Sequence, residues 1–245
     1  MVEPMFWSEF QTAPKAGERV ELGGSEGKHA ASVRRMRVGE AIQLTNGHGL
    51  RVKGSVVEVF PKSLIVDIAQ VTEDAIPTNQ IFLIQALAKG DRDELAIQAA
   101  TELGAVAMIP WQAERSISRW DAAKAAKGQA RWQLICDEAA KQSLRTHFPL
   151  VAMPLSSAEV AKIVGDFDLV IVLDPTSKLG LAKLERLSGK VALVVGPEGG
   201  ISDEELELFE NAGAVRVHLG ESILRTSTAG IAAISAIQAL TGVFN

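Results

Sequence analysis

Apolar residues follow a strand-like pattern in roughly the first seventy positions of the chain. Short β-branched runs are punctuated by turn residues there, and Asn46-Gly47 between two of them is typical of a hairpin. One stretch, 26–37, has helical spacing instead. This part of the chain therefore predicts a small β-barrel or sandwich. Its strands are expected at 41–45, 51–59 and 63–71.

The pattern changes after the polar segment 72–80, which contains Pro77 and is expected to join two domains, 1–73 and 78–245. Apolar strands then alternate with helices, which is typical of a mostly parallel sheet covered on both faces. Ser202 and Glu205 form a capping box that marks the start of one helix. The strands are expected at 81–87, 106–110, 169–173, 191–195 and 215–219, and the helices at 93–103, 121–145, 156–164, 202–212 and 226–240.

A glycine-rich loop, GPEGG at 196–200, follows the apolar strand 191–195. Ligands of parallel sheets bind beyond the carboxyl ends of the strands, where glycine lets the backbone approach them. The loop is neither a Rossmann fingerprint nor a Walker A loop, and three acidic residues at 203–205 would repel a phosphate. The loop therefore favours a ligand without phosphate, although a tight connection that merely needs glycine explains it equally well.

A second loop follows the strand 215–219 and opens with Gly220. Arg225 stands alone there, between Leu224 and small residues that lead into an almost wholly apolar helix. Such an arginine is not needed for solubility, and we interpret it as functional. The alternative is an arginine that pairs with a carboxylate such as Glu198.

Cysteine and histidine offer no obvious chemistry. Cys136 shares a helix face with Trp132 and Ala139, so we expect it to pack in the core. The four histidines have no metal-ligand spacing, and no metal is expected. Residues 23–27 match G-x-S-x-G, but they lie in the predicted β part, where a hydrolase nucleophile elbow does not belong.

The 245 residues are 47% hydrophobic, which is enough for a sizeable core, and their formal net charge is −5. That charge argues only weakly against nucleic acid, since residues 111–147 alone have a net charge of +3. The best apolar run, 229–240, is too short to span a membrane, and the N-terminal MVEPMFW is unlike a signal peptide. We therefore expect a cytoplasmic protein without a membrane partner.

Short motifs recur along the chain: HA at 29–30 with Val33, Arg35 and Gly39, then KGDR at 89–92, ATELG at 100–104, ERS at 114–116, EAAKQS at 138–143, GPEGG at 196–200 and ILRT at 223–226. In this order and spacing, the motifs resemble those of the RsmE family of SPOUT-class methyltransferases. Departures from the family pattern are Met5 for arginine, Arg34 for leucine, Leu144 for glycine and Ser227 for glutamate. The last departure matters most, because a glutamate role near the cofactor cannot be carried over to serine.

The resemblance implies methylation of uridine N3 in 16S ribosomal RNA of the small subunit, with S-adenosylmethionine as cofactor. It also implies a SPOUT-type α/β domain with a C-terminal trefoil knot, a small PUA-like N-terminal β-barrel domain that grips RNA, and an obligate homodimer. A dinucleotide-binding oxidoreductase would need a Rossmann fingerprint that the chain lacks. An RNA-binding protein with an inactive methyltransferase domain stays an alternative because of Ser227.

The resemblance also suggests roles for individual residues. Arg225 is expected to stabilise negative charge on a uracil carbonyl, since arginine stays protonated and cannot act as a base. Glu198 is expected to position the cofactor or to accept the proton. The expected RNA contacts are Arg34, Arg35, Arg37, Arg92, Arg115 and Arg145. The expected cofactor-binding residues are Leu173, Val195, Gly196, Pro197, Glu198, Gly199, Gly200, Leu219, Gly220, Ile223, Leu224 and Thr226.

Overall fold

The computed structural model describes residues 3–185 and 187–243, which divide into two compact units. The first unit holds residues up to Ile76 together with 140–148, and the second holds 77–139 and the residues from Pro149 onward. The division after Ile76 falls within the polar segment 72–80. No sequence pattern indicates that 140–148 belongs with the first unit, and the domain limits 1–73 and 78–245 stay a prediction.

The first unit is built on a five-stranded sheet in the order β1-β3-β4-β5-β2. Strands β1 and β3 pair in parallel and the other neighbours are antiparallel. Apolar side chains at alternate positions, such as Leu64, Val66 and Ile68, form its core. Its elements are β1 (Met5–Trp7), β2 (Arg19–Leu22), α1 (Gly24–Lys28), β3 (Ala41–Thr45), β4 (Leu50–Phe60) and β5 (Ser63–Glu73).

The three strands predicted for this unit are confirmed, but the helix predicted over 26–37 is wrong in its extent. The α-helix ends at Lys28, and a π-helical turn, His29–Val33, completes the helical stretch. Arg35 follows in the left-handed region with φ 54°, which no continuing right-handed helix allows. The apolar periodicity thus predicted a helical element here, but it did not predict where that element ends.

Hydrogen bonds attach 140–148 to the first unit. Arg51 donates through Nη2 to Asp74 Oδ2 at 2.6 Å and to the Leu144 carbonyl at 3.0 Å. Thr146 donates through Oγ1 to the same Asp74 oxygen at 2.7 Å. Lys141, which is buried, lies 2.6 Å from Glu26 Oε1. Buried charges are tolerated when they are paired in this way, so the segment is an integral part of this unit.

The second unit is a parallel sheet in the order β12-β10-β11-β6-β7-β8, with β9 also paired to β7. Its elements are β6 (Gln80–Ala86), α2 (Arg92–Glu102), β7 (Ala107–Gln112), α3 (Ala122–Gln142), β8 (Leu150–Val151), β9 (Leu155–Ser156), α4 (Ser157–Ile163), β10 (Leu169–Leu173), β11 (Lys190–Val195), α5 (Asp203–Asn211), β12 (Val215–Val217) and α6 (Thr226–Leu240). The last three residues of α3, 140–142, belong to the first unit.

Both faces of this sheet are buried. Along β11, Val191 and Leu193 contribute to the core cluster under α2 and α6, while Ala192 and Val194 contribute to the cluster under α4 and α5. Strands buried on both faces read as continuous apolar runs, which is why the sequence predicts all five longer strands and all five helices here. The two-residue strands β8 and β9 were missed, because they are too short to show a period.

Local features agree with the sequence at two further points. Ser202 Oγ accepts from the backbone N–H of Glu205 at 3.3 Å, and the Glu205 carboxylate accepts from the N–H of Ser202 at 3.2 Å, which confirms the capping box. Cys136 is fully buried in the core cluster, as expected of a packed thiol. Within the described residues, none of the helices combines the length and the apolar character that a transmembrane span requires.

Candidate functional site

A cavity of about 590 Å³ opens at the carboxyl ends of β10, β11 and β12, inside the second unit. Parallel strands that end at one edge bring their following loops together, so the residues after each strand form the wall. Of the predicted cofactor-binding residues, all but Gly199 line this cavity. The lining residues that sequence reasoning missed are Asp174, Pro175, Thr176, Ile201, Asp203, Leu206, Val217, His218, Ser222 and Ala229.

The loop after β11 needs its glycines for local reasons. A Cβ on Gly196 would lie 2.6 Å from Ile201 Cγ1, and Gly200 has φ 74°, a region that favours glycine. Gly199 does not line the cavity, because it packs against Arg115, whose Cβ would lie 3.1 Å from a Cβ at this position. The sequence left open whether this loop binds a ligand or is only a tight connection. In the structure the loop both requires glycine for its local geometry and forms part of the cavity wall.

The loop after β12 leads into α6 through Arg225. This residue is exposed, lines the cavity and is the N-cap residue of the helix, without a side-chain capping bond. The alternative pairing of Arg225 with Glu198 is not observed. Its neighbours Ile223 and Leu224 also line the cavity, with exposed fractions of 81% and 38%. An exposed cation at the mouth of the cavity is free to meet an anion or a carbonyl oxygen of a bound molecule.

Glu198 pairs with Arg92, whose Nη1 lies 2.8 Å from Glu198 Oε1. The backbone N–H of Lys89 donates to the same oxygen at 3.2 Å. Burial by itself raises the pKa of Glu198, but these hydrogen bonds, a further one from its own backbone N–H and the charge of Arg92 outweigh burial and hold the pKa below its ordinary value. A carboxylate with a lowered pKa is a weak base and a good anchor.

Asp174, directly after β10, is one of two acidic residues of the wall that sequence reasoning missed, the other being Asp203. Its Oδ2 accepts from Arg216 Nη2 at 2.6 Å, and its Oδ1 accepts from the Thr176 N–H at 3.0 Å. Burial raises the pKa of Asp174, but the bonds from Thr176 and Arg216 outweigh burial and lower the pKa overall. A signal was present in the sequence, since Asp174-Pro175 follows a buried strand, yet Arg216 in β12 gave no indication of being its partner.

The predicted RNA-contacting arginines fall into both units. Arg34, Arg35 and Arg37 are exposed in the first unit, just after the π-helical turn. Arg145 is half-buried in the same unit. Arg92 and Arg115 line the cavity of the second unit. The predicted arginines thus form two groups: two line the cavity of the second unit, and four belong to the first unit. Ser227, the departure that mattered most, is buried in the first turn of α6.

The cavity offers polar backbone groups, apolar walls and charged side chains of both signs. Among residues 3–185 and 187–243, no cluster of His, Cys, Asp or Glu is arranged to hold a metal ion. The apolar walls come from Leu173, Val195 and Leu219, and the backbone groups from the loop after β11. Such a site suits a flat apolar ring whose polar edge atoms form hydrogen bonds with backbone N–H and C=O groups.

Comparisons with known proteins match both parts of the chain. A family model described as an RNA methyltransferase domain matches residues 75–238, and one described as an RNA methyltransferase PUA domain matches residues 15–69. A protein of Mycobacterium bovis named ribosomal RNA small subunit methyltransferase E is 37% identical over 98% of this chain and 93% of its own length. Its Bacillus subtilis namesake is 34% identical over 89% of this chain and 88% of its own length.

Solved structures agree. A methyltransferase from Legionella pneumophila, in complex with the cofactor SAM, has a TM-score of 0.88 and 32% identity, and 98% of each chain is covered. Ribosomal RNA small subunit methyltransferase E from Neisseria gonorrhoeae, bound to S-adenosyl methionine, has a TM-score of 0.86 and 32% identity, again over 98% of each chain. The similarity therefore extends over nearly the whole chain, both in sequence and in structure.

Proposed function

The chain belongs to the ribosomal RNA small subunit methyltransferase E family, and from this premise we propose that it is an S-adenosylmethionine-dependent enzyme that methylates N3 of a uridine in 16S ribosomal RNA. The observation that carries the proposal is the cavity at the strand ends. It combines the glycine-rich loop after β11, the loop after β12 and the exposed guanidinium of Arg225. The small ribosomal subunit is thus the proposed partner, and the bacterial cytoplasm the proposed location.

The donor set of the cavity fits this cofactor. Its wall holds three carboxylates and three guanidinium groups, so a ligand that carries charges of both signs, as S-adenosylmethionine does, is accommodated. These side chains are Asp174, Glu198, Asp203, Arg92, Arg115 and Arg225. Apolar walls and backbone groups suit an adenosine moiety. The residues that would hold the cofactor are Leu173, Val195, Gly196, Pro197, Glu198, Gly200, Leu219, Gly220, Ile223, Leu224 and Thr226, with Gly199 supporting the loop from behind.

When bound, S-adenosylmethionine supplies a methyl carbon activated by a positive sulfur. Uridine N3 would receive this methyl group, with S-adenosylhomocysteine as the leaving group and the N3 proton released to solvent. Arg225 stays protonated and is proposed to donate to a uracil carbonyl, where negative charge develops as the proton departs. Glu198 is proposed as a positioning residue, because its lowered pKa makes it a poor proton acceptor and its bonds tie Arg92 and Lys89 to the glycine loop.

The RNA is proposed to be held by arginines of both units. Arg34, Arg35, Arg37 and Arg145 would contact phosphates through the PUA-like domain, and Arg92 and Arg115 would contact the RNA beside the cavity. Because N3 is hidden in a paired uridine, the target base is proposed to flip into the cavity. The short basic clusters suit local contacts, whereas the overall charge of −5 offers no broad basic surface.

Two further features are proposed on the strength of the family. A homodimer would cover the exposed Ile223 and Leu224 at the cavity mouth. Light scattering at micromolar concentration is expected to give twice the chain mass, and a monomer would contradict the dimer. The second feature is a trefoil knot, and it rests on the family. His218, after β12, pairs through its backbone with Leu179 and Leu181 in the connection from β10 to β11, at 2.9 and 3.1 Å, so these two segments are adjacent.

Calorimetry separates the proposed function from its alternative. Titration with S-adenosylmethionine is expected to show binding, while an RNA-binding protein with an inactive methyltransferase domain would show none. Mass mapping of 16S ribosomal RNA from a strain lacking the protein should then reveal loss of one methyl group on a uridine. Complementation with the wild-type chain is expected to restore it. An unchanged methylation pattern would contradict the proposed substrate.

A further inference from the structure

Gln85 is a fully buried polar side chain near the end of the apolar strand β6. It does not line the cavity. Its side-chain nitrogen Nε2 donates to Thr226 Oγ1 at 2.9 Å and to the carbonyl of Ala86 at 3.3 Å. Since Ala86 O is only an acceptor, this contact fixes which end of the amide carries the nitrogen. The amide therefore acts on Thr226 as a donor.

Thr226 passes the interaction to the glycine loop. Its hydroxyl donates to the Gly196 carbonyl at 2.8 Å while it accepts from Gln85. A hydroxyl has one hydrogen, so both bonds together leave it a single orientation. Thr226 and Gly196 both line the cavity, one at the start of α6 and the other directly after β11. We call this chain of bonds the Gln85–Thr226–Gly196 relay.

The packing of α6 on β6 holds the relay in register. A Cβ on Gly230 would lie 3.1 Å from Leu83 Cδ1, so the helix approaches the strand closely there. Gln85 is two residues beyond Leu83, on the same face of the strand, and Thr226 is one helical turn before Gly230. Two strand residues and one helical turn cover similar distances, about 6 Å each. The close approach of Gly230 to Leu83 therefore also brings Thr226 next to Gln85.

The relay costs stability. Among the described residues no hydrogen-bond donor reaches Gln85 Oε1, which is buried. A buried acceptor without a donor is unfavourable, and an apolar side chain of similar length would fill the space without that penalty. A residue that breaks the rule for a core strand points to a function.

We propose that Gln85 is a positioning residue for the cofactor. By orienting the Thr226 hydroxyl, it locks the start of α6 to the loop after β11 and so sets the width of the cavity between them. The inference rests on the proposed function, since it concerns the same cavity and the same ligand. Gln85 acts through Thr226 and contacts neither cofactor nor RNA.

The test replaces the glutamine by methionine and measures binding of S-adenosylmethionine by calorimetry. Gln85→Met should weaken binding about tenfold, the effect of one lost hydrogen bond on cavity geometry, while the urea midpoint of unfolding stays level or rises. The KM for ribosomal RNA should not change. A structural role predicts instead that stability and affinity fall together, and that result would overturn the proposal.

Variants of the partner sharpen the test. Thr226→Val should lose as much affinity as Gln85→Met, and Thr226→Ser, which keeps the hydroxyl, should recover most of the difference. The double variant should bind no worse than either single variant, because both changes break one relay. Additive losses would refute the relay.

Gln238 supplies a matched control. It is a glutamine of α6, its Oε1 is also buried without a donor among the described residues, and its Nε2 donates to the Leu103 carbonyl outside the cavity wall. Gln238→Met should bind the cofactor like wild type. If wild type binds and Gln85→Met binds equally well, the positioning role fails alone. If wild type does not bind S-adenosylmethionine at all, the proposed function is wrong, and the inference about Gln85 is wrong as well.

Discussion

Arg35 and Leu144 have left-handed backbone conformations, with φ 54° and 57°, although neither is glycine. Leu144 stands where sequences of the resembled family usually have glycine, and its backbone explains that preference. Its carbonyl accepts from Arg51 Nη2 at 3.0 Å, which helps to hold the turn after α3 in place. At this position the chain tolerates a side chain that the backbone disfavours by about 1–2 kcal/mol.

The strain at Leu144 predicts an inverted order of stability. Leu144→Gly should be more stable than Leu144→Ala by about 1 kcal/mol, because alanine keeps the Cβ that the left-handed conformation disfavours while glycine removes it. Urea unfolding of both variants measures the difference. In an ordinary helix position alanine would be the more stable residue by a similar amount. That ordinary order, if found here, would show that the turn relaxes to a right-handed conformation.

Arg225 is the residue on which the proposed chemistry depends most. Arg225→Ala should lower kcat about a hundredfold, the effect of losing one donor to a developing negative charge. The affinity for S-adenosylmethionine, measured by calorimetry, should change by less than about threefold, since the contact is to the uracil. Arg225→Lys keeps the positive charge but lacks the planar guanidinium group, so its kcat should lie between those of wild type and Arg225→Ala. Near-normal turnover of the alanine variant would remove Arg225 from the mechanism.

At the scale of elements, the start of α2 combines a motif with a buried charge. Asp93 is only 5% exposed, and its Oδ2 accepts from the backbone N–H of Ala88 at 3.2 Å. Burial raises the pKa of Asp93, and the hydrogen bonds from Ala88 and Glu94 oppose this only in part. These bonds satisfy the backbone N–H groups of Ala88 and Glu94 at the start of the helix, although ionisation of the carboxyl is unfavourable.

The raised pKa gives a pH-dependent prediction. A carboxyl whose pKa is higher in the folded state stabilises the fold below its unfolded pKa of about 3.9, and that contribution is lost as the pH rises through the folded value. Asp93→Asn cannot ionise and avoids this loss. The free energy of unfolding of Asp93→Asn minus that of wild type should therefore be larger, in favour of the variant's stability, near pH 7 than near pH 3. Urea unfolding at both pH values tests the sign, and a difference that does not vary with pH would contradict the raised pKa.

Helix and strand boundaries can be predicted where the residues that set them lie within or next to the element. The structure has α6 at Thr226–Leu240 and β3 at Ala41–Thr45, as the pattern predicts, because periodicity and turn residues lie within these segments. The helix predicted over 26–37 failed where an arginine adopts positive φ, a conformation that its residue type does not announce. Likewise β1 pairs in parallel with β3, and three residues carry too little pattern to predict that strand.

At the scale of the whole molecule, net charge is a poor guide to the partner. The total of −5 includes an acidic C-terminal part, in which residues 148–245 carry seven basic and twelve acidic side chains, while 1–74 is near neutral, with nine against ten. Exposed Arg34, Arg35 and Arg37 lie together in that near-neutral part. An RNA contact depends on such local charge, since screening limits its reach to about 10 Å at moderate salt.

Replacing Arg34 and Arg35 by glutamine should make RNA binding less sensitive to salt. Each lost phosphate contact lowers the slope of log affinity against log salt by roughly 0.7–0.9, so the double variant should lose about 1.5. The control is Lys15→Gln with Arg19→Gln, which removes the same charge from exposed positions of the same unit and should leave the slope unchanged. An equal loss in both variants would mean that total charge, and not this cluster, binds the RNA.

The sequence by itself determined the alternation of strands and helices in the second unit, the two loops that follow β11 and β12, and the family. These are properties of neighbouring residues: side-chain period, a capping box and short motifs at fixed spacing. Eleven of the twelve predicted cofactor residues line one cavity because both loops leave the same edge of a parallel sheet, a consequence of topology that the alternating pattern already implies.

Only the tertiary structure decided which distant residues meet. Glu198 pairs with Arg92 instead of Arg225, Asp174 pairs with Arg216, and Gln85 reaches Thr226 across 141 positions of sequence. The strand order β12-β10-β11-β6 joins strands that are far apart in the chain, and no local pattern encodes that order. Hydrogen bonds need atoms within about 3 Å, so partners separated by many residues are set by the packed fold and by nothing shorter in range.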